Sequence, residues 1–237
     1  MLRMKHVPNI ITCLNLFSGC LSCIMSLEYH NYFGAFLFVI LSVVFDFLDG
    51  FSARLLKAFS PIGGELDSLA DIVSFGLAPG FVVFSFLNTV SAGTPFEASF
   101  LPCAAFLIPV FSALRLAKFN IDDRQKDSFL GLPVPADALF WVSLILAITP
   151  YIKGSETFVF CMILILIPAF CLLMVSELPL FSLKFKNYSW GKNRWAYLII
   201  GIGIILTVRF QFFGISLTII CYILLSVIKT KLCVLRG

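Results

Sequence analysis

The sequence predicts an all-α membrane protein with several spanning helices, and composition is the first observation that does so. Of its 237 residues, 60% are hydrophobic and 13% are charged, and the mean hydropathy is +1.01. A soluble domain averages about 45–50% apolar and about 25% charged residues. The second observation is that the apolar residues form long runs, because a helix needs about 20 of them to cross a bilayer. Composition and patterning together exclude an ordinary soluble globule.

Eight apolar runs predict eight helices. They lie at residues 10–28, 33–57, 65–87, 99–120, 135–152, 156–176, 194–209 and 212–229. The first run lacks the small-residue cleavage site of a signal peptide, so we expect it to stay in the protein as a spanning helix. The seventh run is the shortest. We expect residues 177–193 to form an interfacial loop between the sixth and seventh helices.

The positions of the cations predict an orientation. If the N-terminus lies in the cytoplasm, 15 of the 17 lysines and arginines fall on the cytoplasmic side, and only Lys153 and Arg209 fall outside. Such asymmetry is typical of membrane proteins, whose short cytoplasmic loops are enriched in cations. We therefore expect a multi-pass protein of the cell (inner) membrane with both termini in the cytoplasm. Because the cations lie at the ends of apolar runs, this topology accounts for the net charge of +4. We therefore expect no nucleic-acid partner.

Four aspartates lie inside two of these apolar runs, at positions 46, 49, 67 and 71. A carboxylate near the middle of a bilayer costs roughly 2.5–3.5 kcal/mol on insertion scales, so four would cost about 10 kcal/mol. A chain keeps such residues where a cation, a ligand or a partner charge compensates for them. The spacing therefore indicates a functional site.

One face of the second predicted helix carries charged and small residues. Its members recur at helical spacing: Asp46, Asp49, Gly50, Ala53 and Arg54. Two further aspartates lie one turn apart on the third helix, and a hairpin would turn both faces toward each other. Four carboxylates suit hard divalent cations, and two metals about 3.5–4 Å apart could clamp a phosphate. The arginine could bind that phosphate through two parallel hydrogen bonds.

Two other interpretations of these residues stay open at this point. Intramembrane acids also build proton relays and cation paths in transporters. Small residues that face a neighbouring helix often serve packing alone. The acids are confined to one hairpin near one membrane face, which disfavours a pathway across the bilayer.

The same stretch resembles the signature of the CDP-alcohol phosphatidyltransferase family, D-x2-D-G-x2-A-R-x8-G-x3-D-x3-D. All nine specified residues are present between Asp46 and Asp71. The resemblance implies a six-helix core, expected here at residues 1–176, and a homodimer. Residues 177–237 would add the interfacial loop and two further C-terminal helices.

Flanking phrases are similar to the phosphatidylserine synthase branch of that family in bacteria and archaea. They are DSLADIVSFGLAP at 67–79, LRLAKFN at 114–120, FLGLPVPA at 129–136 and PLFSLKF at 179–185. Phe51 and Lys118 depart from the usual phrases, in which Arg is common at both positions. Neither belongs to the nine signature residues.

The resemblance implies that CDP-diacylglycerol and L-serine give phosphatidylserine and CMP by direct displacement. The implied cofactor is a divalent cation, Mg²⁺ or Mn²⁺ or else Ca²⁺, with two ions per site. The implied metal ligands are Asp46, Asp49, Asp67 and Asp71, and Asp71 is also the implied general base. The implied CDP-diacylglycerol-binding residues are Asn9, Thr12, Gly50, Ala53, Arg54, Ser60 and Gly63.

Several of these assignments have an alternative. Arg115 and Lys118 are candidates for binding the serine carboxylate or a phosphate, but cations at a cytoplasmic helix end also anchor to lipid headgroups. Asn9 and Thr12 could simply cap the first helix. The acceptor could be another alcohol, such as glycerol phosphate or inositol phosphate. Membrane lipids are expected around the whole chain.

Overall fold

The computed structural model has the all-α polytopic architecture that the sequence predicts. It describes residues 6–58, 60–97, 99–122, 129–180 and 190–234, and the side chains of all of these except 129, 190–193 and 231–234. All eight predicted helices are present: α1 (Val7–Leu27), α2 (Tyr32–Leu55), α3 (Pro61–Ser91), α4 (Leu101–Ile121), α5 (Val134–Tyr151), α6 (Glu156–Val175), α7 (Trp190–Phe210) and α8 (Phe212–Val234).

Seven helices within the described ranges are long and apolar enough to cross a membrane, namely α1 to α6 and α8. Helix α7 is present as a helix of 21 residues but is not one of these seven. Its predicted crossing, which rested on the shortest apolar run, therefore stays a prediction.

Helix α1 buries its polar and small side chains and exposes its large apolar ones. The buried face carries Thr12, Asn15, Ser18, Gly19, Ser22 and Ser26, whereas Ile10, Leu14, Phe17 and Ile24 are exposed. Lipid tails are as apolar as leucine, so helices in a bilayer associate through small residues and interhelical hydrogen bonds. A Cβ at Gly19 would lie 2.7 Å from the Ser74 Cα, so α1 and α3 could not approach this closely with a larger residue there.

Helix α3 begins earlier than the sequence predicts. The Ser60 side chain accepts a hydrogen bond from the Gly63 backbone N–H, and Pro61 opens the first turn, where its missing N–H costs nothing. The predicted start at residue 65 is therefore four residues too late, because Gly63 and Gly64 already lie in the first turn of α3. Farther along, α3 passes through a π-helical segment at Ile72–Leu77.

A small antiparallel ladder lies at the end of the molecule where α4 and α6 finish. Strand β1 (Phe129–Leu130) pairs with β2 (Pro179–Leu180). Gly131 follows with a φ of +76°, and a Cβ there would meet the backbone of α6. The predicted loop at 177–193 thus contains a short strand, and its residues 181–189 lie outside the described part of the chain.

Helices α7 and α8 form a hairpin that attaches to the rest of the protein through α8. The Ser143 and Ser216 hydroxyls lie 2.6 Å apart in a buried contact between α5 and α8. The Phe212 ring packs edge-on against Phe33 and Phe36 of α2. The division into residues 1–176 and 177–237 stays a prediction.

Candidate active site

Three of the four predicted carboxylates converge between α2 and α3. One oxygen each of Asp46, Asp49 and Asp67 lies within 4.8 Å of the others. Asp67 Oδ1 is buried and has no hydrogen-bond partner among the described residues, so it lacks the donor that a buried oxygen normally has. An all-oxygen set with one buried, unsatisfied member fits a hard divalent cation.

Helix α1 supports this group of carboxylates from the side. The Thr12 hydroxyl donates to Asp49 Oδ2 at 2.7 Å, and it also lies 3.1 Å from the carbonyl oxygen of Pro8. Helix α1 already begins at Val7, with His6 as its N-cap. The alternative that Asn9 and Thr12 cap this helix is therefore wrong, because both lie inside it.

Asp71 lies one turn farther along α3 than Asp67 and is not part of the three-carboxylate group. It is 8% exposed, and its Oδ1 accepts a hydrogen bond of 3.2 Å from the Asn15 side-chain amide. Sequence reasoning missed Asn15. A signal was present, because Asn15 follows Thr12 by three residues and falls on the same face of α1.

A cavity of about 190 Å³ adjoins the carboxylates, between the first turns of α1 and α3 and the last turns of α2. Its lining contains six of the seven predicted CDP-diacylglycerol-binding residues: Asn9, Thr12, Gly50, Ala53, Ser60 and Gly63. Asp49 and Asp67 belong to the same wall, which joins the cavity to the carboxylate group. Pro8, Ala58 and Gly64 complete it and were missed by sequence reasoning, because they carry no side-chain chemistry.

Glycine has a distinct effect at two positions in this wall. A Cβ at Gly63 would lie 3.0 Å from Ser60 Oγ and 3.1 Å from Asn9 Oδ1, so glycine lets these polar atoms converge. A Cβ at Gly50 would meet no atom within 4 Å among the described residues. Gly50 therefore contributes open space, where a ligand can approach the α2 backbone.

Of the seven predicted CDP-diacylglycerol-binding residues, Arg54 is the one outside the described cavity wall, and its role as a phosphate ligand stays a prediction. It lies in the last turn of α2 and is exposed, and it is not part of the described lining of the cavity. Arg54 follows Ala53 directly, so its Cα is near the cavity although its side chain is not in the wall.

The two candidate acceptor residues on α4 differ in their surroundings. Arg115 is 3% exposed, lies 5.4 Å from the Phe119 ring centroid, and has an Nε without a partner in the described structure. Lys118 Nζ instead donates to the Val175 carbonyl at 3.3 Å and pairs with Glu177 at 3.7 Å. Lys118 thus links α4 to the end of α6, whereas Arg115 keeps one unpaired nitrogen and has the Asp122 carboxylate as a charged neighbour.

The C-terminal end of α4 lies against the acidic segment of α3. Asn120 Nδ2 donates to Ser68 Oγ at 2.9 Å, and Ser68 lies between the two aspartates of α3 in sequence. The ends of α2 and α4 and the beginnings of α1 and α3 therefore meet at one end of the molecule.

The fold and this site define a multi-pass membrane protein with clustered carboxylates that could hold a metal ion beside a small cavity. The chain belongs to the CDP-alcohol phosphatidyltransferase family, whose family model matches residues 5–228. The resemblance predicted from the nine signature residues is thereby confirmed.

Within this family, the chain is similar to several proteins that share one name. The CDP-diacylglycerol–serine O-phosphatidyltransferase of Bacillus subtilis is 38% identical over 155 residues, which are 65% of this chain and 83% of that protein. The protein of the same name from Helicobacter pylori is 31% identical over 202 residues, 84% of this chain and 80% of its own. That of Methanocaldococcus jannaschii is 34% identical over 149 residues, 63% of this chain and 65% of its own.

Proposed function

We propose that the protein transfers the phosphatidyl group of CDP-diacylglycerol to the hydroxyl of L-serine, giving phosphatidylserine and CMP. The observation that carries this proposal is the convergence of Asp46, Asp49 and Asp67 beside a cavity lined by signature residues. The similarity to relatives named as CDP-diacylglycerol–serine O-phosphatidyltransferases supports the choice of acceptor.

The three converging aspartates are the cation ligands of this proposal. A bound Mg²⁺ or Mn²⁺, or else Ca²⁺, supplies Lewis-acid stabilisation of negative charge on the diphosphate. We propose two ions per site, as the signature implies. Asp71 was predicted as both ligand and base. The base role has the better geometric support, because Asp71 lies outside the three-carboxylate group and one of its oxygens is already bound by Asn15.

The residues of the chain bind and orient the two substrates. Gly50 and Ala53 leave room for the nucleotide against α2, while Asn9 and Ser60 present polar atoms beside Gly63. Asp71 accepts the proton of the serine hydroxyl. The serine oxygen forms a bond to the phosphorus that carries diacylglycerol, the bond from that phosphorus to CMP breaks, and CMP leaves with the electron pair.

Arg115 is the proposed group for the serine carboxylate. Its guanidinium is buried and its Nε is unpaired within the described structure, so a carboxylate would satisfy it in a site from which water is largely excluded. The contact between Asn120 and Ser68 brings this end of α4 to the acidic helix.

The finer localisation and assembly are also proposals. The distribution of cations supports an orientation with the active site and both termini in the cytoplasm, and the proposed location is the cell (inner) membrane. Protease access to a C-terminal tag in inverted and right-side-out vesicles tests this orientation. The homodimer implied by the family resemblance is tested by the mass of the detergent-solubilised protein in light scattering.

The activity is tested on the purified protein in detergent micelles with CDP-diacylglycerol, Mn²⁺ or Mg²⁺, and L-serine. We expect CMP and phosphatidylserine to form in equal amounts and only when serine is present. Asp71→Asn, which keeps the shape but not the base, should lose the activity. Wild-type protein that releases no CMP with serine would overturn the proposal.

Two alternatives are separated by the same preparation. CMP release with glycerol 3-phosphate or inositol phosphate, but not serine, would keep the chemistry and change the acceptor. A transporter would instead carry metal or proton flux in liposomes and would not be stabilised by CMP. The grouping of the acids at one end of α2 and α3 disfavours such a path.

A further inference from the structure

Asn15 is a buried polar residue that the nine-residue signature does not include. It lies in α1, is fully buried, and donates from Nδ2 to Asp71 Oδ1 at 3.2 Å. The donor and acceptor lie on different helices, 56 residues apart in sequence. The contact therefore fixes a side chain of α3 relative to α1.

The rest of the Asn15 side chain is not satisfied by the protein. Its Oδ1 is buried and has no hydrogen-bond partner within the described ranges. A buried amide oxygen without a partner is destabilising, because it has given up its hydrogen bonds to water. A residue that served packing alone would be better apolar, so the single bond to Asp71 is the feature that explains an asparagine here.

The backbone of α1 is held firmly at this residue. The carbonyl oxygen of Asn15 accepts from Ser42 Oγ of α2 at 3.2 Å and from Ser74 Oγ of α3 at 2.9 Å. The helices that carry the carboxylates thus both bind α1 at Asn15. A functional side chain is positioned accurately when it is supported from rigid elements, and this arrangement provides such support.

We infer that Asn15 is a positioning residue that holds one carboxylate oxygen of Asp71, so that the other oxygen is presented to the acceptor hydroxyl. The inference rests on the proposed function, in which Asp71 is the base. A neutral amide suits this task because it orients the carboxylate without adding a cation beside the metal ligands.

The test replaces the amide by a group of similar size that cannot donate. Asn15→Leu should lower kcat by about 10- to 100-fold, the loss typical when a supporting hydrogen bond to a catalytic group is removed. The KM for serine and the thermal stabilisation by CMP with Mn²⁺ should stay near the wild-type values, since Asn15 does not line the nucleotide cavity.

The matched control is Ser22→Ala, two turns along the same buried face. Ser22 Oγ donates to the Ala35 carbonyl at 3.0 Å, so this variant also removes a buried hydrogen bond from α1, but away from the carboxylates. We expect it to keep the wild-type kcat. A loss of kcat equal to that of Asn15→Leu would make general loosening of α1 the cause and would overturn the inference.

The remaining outcomes are also decisive. Asn15→Leu with an unchanged kcat overturns the positioning role, and so does a variant that loses CMP stabilisation in parallel with activity. If Asn15→Leu is not recovered folded, Asn15→Ala is measured in the same way. Failure of both to fold would assign Asn15 to stability and overturn the inference. Wild-type protein without serine-dependent CMP release would instead overturn the proposed function itself.

Discussion

Thr12 of α1 donates a hydrogen bond of 2.7 Å to Asp49 of α2. Both side chains are buried, and both belong to the wall of the cavity beside the carboxylate group. The hydroxyl leaves the charge of Asp49 available to a cation while it fixes the orientation of the carboxylate. Helix α1 thus orients one carboxylate on each of two other helices. Its Thr12 binds Asp49 of α2, and its Asn15 binds Asp71 of α3.

The first prediction concerns this hydroxyl. Thr12→Val keeps the shape of the side chain but removes the donor, so Asp49 should be less well oriented toward a cation. We expect the Mn²⁺ concentration for half-maximal CMP release to rise by about 10-fold, in line with other supporting contacts to metal ligands. Thr12→Ser retains the donor and should stay close to wild type. Equal effects of the two variants would contradict this role.

The second prediction concerns the carboxylates themselves. Asp46→Asn and Asp67→Asn each remove one anionic ligand, so stabilisation by Mn²⁺ with CMP should be lost. Differential scanning fluorimetry measures this directly. A chelator should abolish the same stabilisation in the wild type, and added Mn²⁺ should restore it. Glu65→Gln removes a nearby acid outside the three-carboxylate group and should leave the stabilisation intact.

The sequence predicts the helices more completely than it predicts the contacts of the site, and the reasons are physical. Apolar runs fixed the existence of all eight helices, because span length follows directly from bilayer thickness. The structure begins α3 at Pro61 and not at residue 65. The Ser60 cap and Pro61 start the helix there, although two glycines follow that disfavour a helix. The strand pair could not be foreseen, because two-residue strands carry too little pattern.

At the site, the sequence reveals which residues share a face of one helix, but it does not reveal which residues meet between helices. Asp46 and Asp49 could be placed together because they share one face of α2, and their union with Asp67 followed from the hairpin. The partnership of Asn15 with Asp71 depends on how α1 packs, which no local pattern reveals. Arg54 lies in the last turn of α2 directly after Ala53, and its long charged side chain reaches solvent there.

The third prediction concerns the open space at Gly50. Gly50→Ala should fold well, because its Cβ would meet no described atom within 4 Å and alanine favours a helix by about 0.8–1 kcal/mol over glycine. Its methyl group would nevertheless fill part of the wall, so the KM for CDP-diacylglycerol should rise.

The control for this variant is Gly201→Ala in α7. A Cβ there also meets nothing within 4 Å among the described residues, and Gly201 is not part of the described wall of the cavity. We expect Gly201→Ala to match the stability of Gly50→Ala while keeping the wild-type KM. Identical kinetics for the two variants would show that Gly50 does not face the substrate.

The fourth prediction separates two cations that lie one turn apart on α4. Arg115→Lys keeps the charge but loses the planar group that binds a carboxylate through two hydrogen bonds. The KM for serine should therefore rise by about 10-fold, with little change in the KM for CDP-diacylglycerol. Initial rates with each substrate varied in turn measure this difference.

Lys118 is the matched comparison, because its hydrogen bond to the Val175 carbonyl already occupies it in the fold. Lys118→Met should lower the free energy of unfolding by at most about 1 kcal/mol, since the pair with Glu177 is partly exposed and screened. It should leave the KM for serine unchanged. If Lys118→Met raised that KM as strongly as Arg115→Lys, the buried guanidinium would not be the specific serine contact, and charge at the end of α4 would account for both effects.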